Sequence, residues 1–395
     1  MFILIYSMLR DNSNFIRIAE RCAMKKCISL FAFIIIIYLN GCATANKEVP
    51  IASHGNLLDL GNLGGSLARA TAISSNGSVI VGDTFYSSTF GRGTFHIFRW
   101  SQSGGVQDLG TFGGQDAHAA AVSADGSVIV GNIKFGNDKA PVDHIFRWNE
   151  TGGVKDLGTF GGQSAFAKGV SADGKVIIGT IQDTDDSGAI VTHAFRWSEA
   201  TGVQYLVAPH GQRTEALGVS ADGTVVVGSV GPSGLTGHAF RWADADGFKD
   251  LGALGGQYSE ATTVSADGSV VAGWVSFDKN KTSELHVFVW KNTEGFKDLG
   301  IPGLALSISA DGSVVVGNYS IKPYNSSVRL ADQPLHGFRW AISSGLDEIG
   351  NIGGIPLSAV AVSGDGTIVV GNYGAGFGYT TNGVFVASYR KDNHI

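Results

Sequence analysis

One stretch, DLGTFGGQDAHAAAVSADGSVIVGNIKFGNDKAPVDHIFRW from Asp108 to Trp148, returns in edited form along most of the chain and limits what the chain can fold into. DLGxxGG opens the copies at Asp59, Asp108, Asp156 and Asp250; it degenerates to QYLVAPHGQ at Gln204, DLGIPG at Asp298 and EIGNIGG at Glu348. The starts step by 49, 48, 48, 46, 48 and 50 residues. A fixed period near fifty, with several short strands per unit, predicts a β-propeller or a solenoid with one shared core.

The second copy illustrates the unit. Ala119 to Ser123 and Ser127 to Gly131 flank Ala124-Asp125-Gly126, and β-rich runs joined across Asp-Gly predict a hairpin of strands a and b. His144-Ile145-Phe146-Arg147-Trp148 alternates, placing His, Phe and Trp on one side of strand c. Thr151-Gly152-Gly153 then turns the chain into Val154 to Gly158, strand d. Four antiparallel strands per period make a propeller blade. Strand a is dominated by small side chains (AHAAAVS, AFAKGVS, TEALGVS, SEATTVS, LALSIS), as expected near a crowded axis, whereas the bulky Phe and Trp belong further out. With 57 Gly and 16% charged residues, the composition fits many tight turns rather than helices.

The last copy supplies strands a (Ser358 to Ser363), b (Thr367 to Gly371) and c (Val384 to Tyr389) without a fourth. Asn56 to Gly61 precedes the first strand a and has the DLG form of strand d. The expectation is an all-β, seven-bladed propeller of four-stranded antiparallel blades, closed by the N-terminal strand so that no sheet edge stays free.

Residues 24–42, MKKCISLFAFIIIIYLNGC, join two lysines, an apolar run from Ile28 to Leu39 and small residues before Cys42, the grammar of a secretory signal. Leu39-Asn40-Gly41-Cys42 resembles the lipobox of bacterial lipoproteins, which implies acylation at Cys42. The competing reading, an uncleaved anchor, is disfavoured by the shortness of the run. Residues 1–23 fit no signal and point to a start at Met24, so the expected organisation is an extension (1–23), a lipoprotein signal peptide (24–41), a lipidated tether (42–54) and the propeller (55–395). Ala43 after the cysteine favours sorting to the outer membrane in the resembled lipoproteins, and the expected address is the outer membrane or surface of a Gram-negative bacterium. The chain carries a net charge of −6; without residues 1–41 it has 23 basic against 32 acidic residues, hence −9. Such an acidic body has no electrostatic footprint for nucleic acid. The three cysteines, Cys22, Cys27 and Cys42, precede the first repeat, so no disulfide staples it.

HIFRW, HAFRW, HAFRW, HVFVW and HGFRW, with VSADGxVVVG and DLGxxGG before them, resemble the bacterial extracellular repeat family named for its His-Ala-Phe tripeptide, over about Asp59 to Tyr389. The resemblance implies a secreted or surface protein, without an activity to carry over. Some members of that family are autotransporter passengers; here the chain ends six residues after Tyr389, and a lipid anchor is the expectation instead. His96, His144, His193, His238, His286 and His336 share one repeat position, with Gly383 in the seventh copy, and Trp100, Trp148, Trp197, Trp242, Trp290 and Trp340 follow four residues on. Equivalent positions a blade apart lie beyond the ~2 Å of a Zn–N bond, so the histidines are expected to be structural, each bonding backbone. Asp125, Asp173, Asp222, Asp267, Asp311 and Asp365, with Asn76, look like the Asp-box turn of sialidase propellers and are likewise expected to be structural, bonding their own backbone and tolerating left-handed geometry.

Asp183, Asp185 and Asp186 occur in one copy only. They are weak Ca²⁺ candidates lacking a bidentate acid further on, and a solvated acidic loop is the better expectation. No P-loop, GxSxG, HExxH or CxxC is present. The a–b and c–d turns are nearly invariant, whereas the b–c connections run from nine residues (Ser229 to Gly237) to eighteen (Asn318 to Leu335), the longest offering Tyr319, Tyr324 and Arg329 as interface anchors. The expected function is a monomeric, non-enzymatic lipoprotein, without a cofactor, binding a macromolecule or glycan through the b–c/d–a face. The alternative is a secreted polysaccharide-active enzyme, a hydrolase or lyase, using the same face.

Overall fold

Wherever the period-2 pattern runs the chain is extended, and the described residues contain no α-helix, only a 3-10 turn at Pro209–Gly211. The computed structural model describes residues 56–88, 92–137, 140–231, 237–277, 285–319, 335–374 and 382–390. The signal segment, Cys42, the tether, Tyr324 and Arg329 lie outside them. Ser53–Ile395 is one compact unit.

β1 (Leu57–Gly61) is followed by β2 (Leu67–Ile73), β3 (Val79–Tyr86), β4 (Thr94–Ser101) and β5 (Gly105–Gly110), an antiparallel sheet in the order a-b-c-d. The same order recurs in β6 (Asp116–Val122), β7 (Val128–Asn137), β8 (Ala140–Asn149) and β9 (Gly153–Gly158). It recurs again in β10 (Ser164–Val170), β11 (Val176–Thr184), β12 (Ile190–Ser198) and β13 (Gly202–Tyr205), and in β14 (Arg213–Val219), β15 (Val225–Gly231), β16 (His238–Ala243) and β17 (Gly247–Gly252). β18 (Tyr258–Val264), β19 (Val270–Ser276) and β20 (Leu285–Lys291) pair with the first half of β21 (Gly295–Ile308), whose second half pairs with β22 (Val314–Tyr319), β23 (His336–Ala341) and β24 (Gly345–Glu348). One strand serves two sheets here because DLGIPG lacks the GG pair. Elsewhere the first glycine of that pair turns the chain with positive φ, as at Gly113 (+87°) and Gly161 (+90°). The short β25 (Asn351–Ile352) pairs with β26 (Ile355–Val362), which continues into β27 (Ile368–Tyr373) and β28 (Gly383–Ser388). β1 lies antiparallel on β28, with Leu58 opposite Val386 and Asp59 opposite Phe385.

The sheets pack face to face around a channel, the arrangement of a β-propeller. Each strand c buries its phenylalanine completely (Phe98, Phe146, Phe195, Phe240, Phe288, Phe338 and Phe385), which stabilises by about 2–3 kcal/mol per ring. The glycine of VxxG makes room for it: a Cβ on Gly131 would collide with the His118 carbonyl and come within 2.8 Å of the Phe146 ring. Opposite each such glycine, strand a carries a bulge, as at Ala119/Ala121. Leu63, Phe112, Phe160 and Leu254 hold left-handed φ near 52–54° without being glycine. Packing offsets that strain, Phe112 meeting Phe146 at 5.1 Å and Phe160 meeting Phe195 at 5.2 Å.

The a–b turns are joined by backbone. Asn76 N–H donates to the Ala124 carbonyl, Ala124 to Ala172, Ala172 to Ala221, Ala221 to Ala266, Ala266 to Ala310, Ala310 to Gly364, and Gly364 back to Ser75, at 2.7–3.1 Å. In the turn itself Asp125 accepts from Ser127 N–H (2.9 Å) and Ser123 Oγ (2.7 Å), while Ser123 Oγ accepts from Val128 N–H. The left-handed residue is Gly126 (φ +80°), not the aspartate, so only half of the expected turn chemistry belongs to Asp125. Arg147, Arg196, Arg241 and Arg339 of strand c each donate Nε to the carbonyl of the Asp-Gly glycine 27 residues on, in the next sheet.

Candidate functional site

The histidines of strand c bond carboxylates rather than backbone. Nδ1 of His96, His144, His238, His286 and His336 meets Asp108, Asp156, Asp250, Asp298 and Glu348, each twelve residues on, at 2.6–3.3 Å. The c–d pairing register puts the start of strand c beside the end of strand d, so the imidazole reaches the acid before it reaches a free carbonyl. The four aspartates each also accept the N–H of the positive-φ glycine two residues on, as Asp156 does from Gly158 at 2.8 Å. Where the acid is missing, His193 meets the edge of Tyr205. The tryptophans stand on the same strands, Trp148, Trp242 and Trp290 being buried.

Tyr319 is no loop anchor: it ends β22, lies against the His336 ring at 5.8 Å in a tilted contact, and burial with Glu348 beside it pushes its phenol up to about 12. The b–c connections are shorter than the repeat pattern suggests, because β7 and β8 stay paired out to Asn137 opposite Ala140, and β11 and β12 out to Thr184 opposite Ile190. Asp183 is thus a strand residue and Asp185 a hairpin-tip residue whose carboxylate accepts from Ser187 N–H, Ser187 Oγ and Ala189 N–H. Asp185, Asp183 and Asp186 are not brought together as ligands. Among the described residues no group of three or more His, Cys, Asp or Glu is placed to hold a metal.

One ring of residues escaped the sequence reading. The strand-a residue opposite the position after the VxxG glycine is Arg69, His118, Phe166, Glu215, Glu260, Leu304 or Ser358, sheet by sheet. Its neighbours in the strand, such as Ala68 and Ala70, are buried between sheets, but this position faces the channel mouth at the b–c/d–a end. Below the mouth lies a channel of about 290 Å³ lined by strand a of all seven copies, in which Lys168 is the one charged lining residue among those described.

The mouth is chemically asymmetric. On one arc His118 Nδ1 meets Asp83 Oδ2 at 2.9 Å, and that hydrogen bond, with the charges of Asp83, Asp116 and Asp143, holds the imidazole above its ordinary pKa against burial. Phe95 meets the His118 ring in a tilted contact at 5.0 Å and lies under the Arg69 guanidinium at 5.9 Å. Asp116 accepts from Phe95 N–H and pairs with Arg92, both at 3.0 Å. On another arc Trp274 Nε1 donates to Glu260 Oε1 at 3.1 Å. Burial pushes the Glu260 carboxyl up, Trp274 opposes this, Glu215 adds to it and Lys168 counters it.

No protein-family model and no curated protein matches the chain. Among solved structures it is similar to the β-propeller domain of the trilobed protease from Pyrococcus furiosus, described as having an open velcro topology, at 12% identity and a TM-score of 0.55 over 84% of this chain and 95% of that one. It is also similar to acylaminoacyl peptidase from Pyrococcus horikoshii (11%, TM-score 0.52, 78% of this chain, 49% of that one) and to TolB from Acinetobacter baumannii (15%, TM-score 0.42, 84% of this chain). The chain spans about half the length of the peptidase and 65% of that TolB. At such identities the likeness is one of fold.

Proposed function

We propose that the chain is a seven-bladed propeller closed by β1, carried on a lipoprotein signal and exposed at the envelope of a Gram-negative bacterium as a monomeric binding module of the His-Ala-Phe repeat kind. The β1–β28 ladder and the run of turn hydrogen bonds that returns to Ser75 support the closed ring. The observation that carries the binding role is where the copies differ. At the a–b end the copies repeat the same Ser–Asp–Gly bonds, with Asn76 in place of the aspartate in the first, whereas at the b–c/d–a end the mouth position changes from Arg69 to His118, Phe166, Glu215 and Glu260. A rigid scaffold with one uniform and one diversified face places recognition on the latter. The partner is a macromolecule or glycan bound without chemical conversion.

The test is a glycan-array and envelope pull-down screen with the purified domain. Tyr324→Ala with Arg329→Ala, in the longest b–c connection of the sequence, should weaken capture without shifting the melt, while Asp125→Ala should shift the melt and keep capture. The reverse pattern would assign binding to the a–b face. For the anchor, Cys42→Ser should release the protein from membranes, and palmitate labelling that persists in that variant sinks the lipoprotein reading.

A further inference from the structure

Two repeat positions furnish side chains that bridge each sheet to the next. One is the strand-b residue after the VxxG glycine, which bonds the backbone of the following strand a. Asp83 accepts Ala119 N–H (2.9 Å), Asn132 accepts Ala167 N–H (2.9 Å) and Asn318 donates to the Ala359 carbonyl (3.0 Å). Asn372 accepts Ala70 N–H at 2.7 Å and donates to the Ala70 carbonyl at 3.1 Å. The other is the strand-c arginine, which bridges at Arg147, Arg196, Arg241 and Arg339 and is replaced by Val289 in the fifth copy and Val386 in the seventh. Thr180 and Ser229 do not provide the first bridge, but their joints keep Arg196 and Arg241. The seventh copy lacks the arginine but has Asn372, the Tyr373–Asp59 bond and the β1–β28 ladder.

The joint between the fifth and sixth copies is the one at which both positions carry a residue that makes neither bridge. Trp274 donates Nε1–H to Glu260 of its own sheet at 3.1 Å, and Val289, buried at 6% exposure, has no donor. Ala272, Val287, Val289, Ala305 and Val315 fill the joint as one apolar cluster. Such contacts are non-directional and resist sliding less than hydrogen bonds of fixed geometry. The backbone link from Ala266 to Ala310 remains, and Thr262 Oγ1 donates to the Ala305 carbonyl across the joint at 2.8 Å. Thr262 and Leu306 line the channel on either side of it. Here also the chain passes from one sheet to the next in a single strand, β21, without the Gly-Gly turn. We propose that this joint is a lateral gate onto the channel, hinged on β21 and latched by Thr262, at which the sheets part between Thr262 and Leu306 while the other joints move as one body. The proposal rests on the ring being closed by β1, and it places the opening away from the joint where the chain ends meet.

The test uses the full chain with Cys22, Cys27 and Cys42 replaced by serine and a single thiol introduced as Val289→Cys or Val386→Cys, the same repeat position in two joints. Under native conditions a thiol reagent should label Val289→Cys at least about tenfold faster, although Val289 is buried and Val386 only half-buried. Thr262→Val, which removes the latch and keeps the shape of the side chain, should speed that labelling about fivefold more. Hydrogen exchange on the unsubstituted chain gives a reading free of variants: amides of β19 and of Gly303–Ile308 should exchange at least about tenfold faster than those of β7 and β10, whose joint has both Asn132 and Arg147. Equal labelling of the two thiols, or equal exchange at the two joints, would overturn the gate and leave the closed ring standing. Faster labelling of Val386→Cys would mean that the ring opens where its ends meet, and both the gate and closure by β1 would fall. A Val289→Cys labelling rate unchanged by Thr262→Val would overturn the latch.

Discussion

The Tyr373 hydroxyl donates a 2.8 Å hydrogen bond to Asp59 Oδ1, linking residues 314 positions apart. Asp59 is the strand-d acid of β1 and still accepts the N–H of Gly61 at 2.8 Å, but the strand-c position that holds histidine elsewhere is Gly383. A Cβ on Gly383 would stand 2.6 Å from the Tyr373 hydroxyl. The phenol thus occupies the place of the absent imidazole and bonds the same acid from strand b.

If that bond helps hold β1 on β28, Tyr373→Phe should cost about 1 kcal/mol in urea denaturation. Deleting residues 51–60 should lower the melting temperature by on the order of 10 °C or cause aggregation, since it strips the partner from β28. An unchanged melt after the deletion would rule out closure by β1. The pH dependence has a definite sign. Burial, with Asp59 beside it, pushes Tyr373 up to about 12 from 10.0, so its contribution is complete below pH 10 and is lost as pH rises towards 12. Tyr373→Phe should accordingly flatten part of the alkaline loss of stability, leaving the parts due to Tyr319 and Tyr389, which are also pushed up to about 12.

The His144–Asp156 pair should be unequal when dissected. Asp156 is 45% exposed and His144 28%, so the contact between them is weak, but Asp156 also fixes the Gly158 turn. Asp156→Ala should cost about 1–2 kcal/mol and His144→Ala less than about 1 kcal/mol. Equal losses in chemical denaturation would mean that the pair, not the turn, carries the energy.

The four-strand repeat was legible because its signals are local: Asp-Gly turns, alternating HxFRW and small residues in strand a. The β1–β28 pairing could be anticipated because a strand of type d was missing at one end and present at the other. The histidine–acid pairing was missed although a signal existed, the constant spacing of twelve from His144 to Asp156 and its equivalents, broken only where Tyr205 stands in place of the acid beside His193 and Gly383 in place of the histidine beside Asp59. It depends on inter-strand register, which period-2 patterns leave open. Tyr319 was misread as a loop residue because the alternation of β22 fades before the strand ends. The mouth residues were hidden within strand a, where Arg69, Glu215 and Glu260 looked like noise among alanines. Only the stacking of sheets around the channel separates the packed positions from the free one.

Arg147 tests how neighbouring sheets are held together. Its Nε donates at 3.0 Å to the Gly174 carbonyl in the next sheet, a bond that Arg196, Arg241 and Arg339 repeat. Arg147→Ala should cost about 1–2 kcal/mol, and Arg147→Lys should recover little of it because an ammonium on a flexible stem lacks the planar fork. Full rescue by lysine in thermal melts would reduce the contact to general charge attraction.

The a–b turns should set the acid limit of stability. Backbone and side-chain donors from Ser127 and the Ser123 hydroxyl hold Asp125 below its ordinary 3.8; Asp173, Asp222 and Asp267 are lowered likewise, led by the hydroxyls of Ser171, Ser220 and Ser265. A depressed folded pKa contributes stability that is present above the unfolded value and lost as pH falls through the folded one, so the loss belongs below about pH 4. The first copy supplies a natural control. Asn76 accepts from Ser74 Oγ at 2.7 Å and Ser78 N–H at 3.0 Å, the same bonds without a titrating group. Replacing Asp125, Asp173, Asp222 and Asp267 by Asn should therefore leave the fold intact at pH 7, with a small loss from weaker, uncharged acceptors. Between pH 4 and 2 the variant's melting temperature should fall less steeply than that of the wild type. Parallel acid limbs in the two proteins would show that the turns accept their hydrogen bonds equally well from protonated carboxyls, and that carboxylates elsewhere, such as Asp83 and Asp116 at the channel mouth, govern acid unfolding.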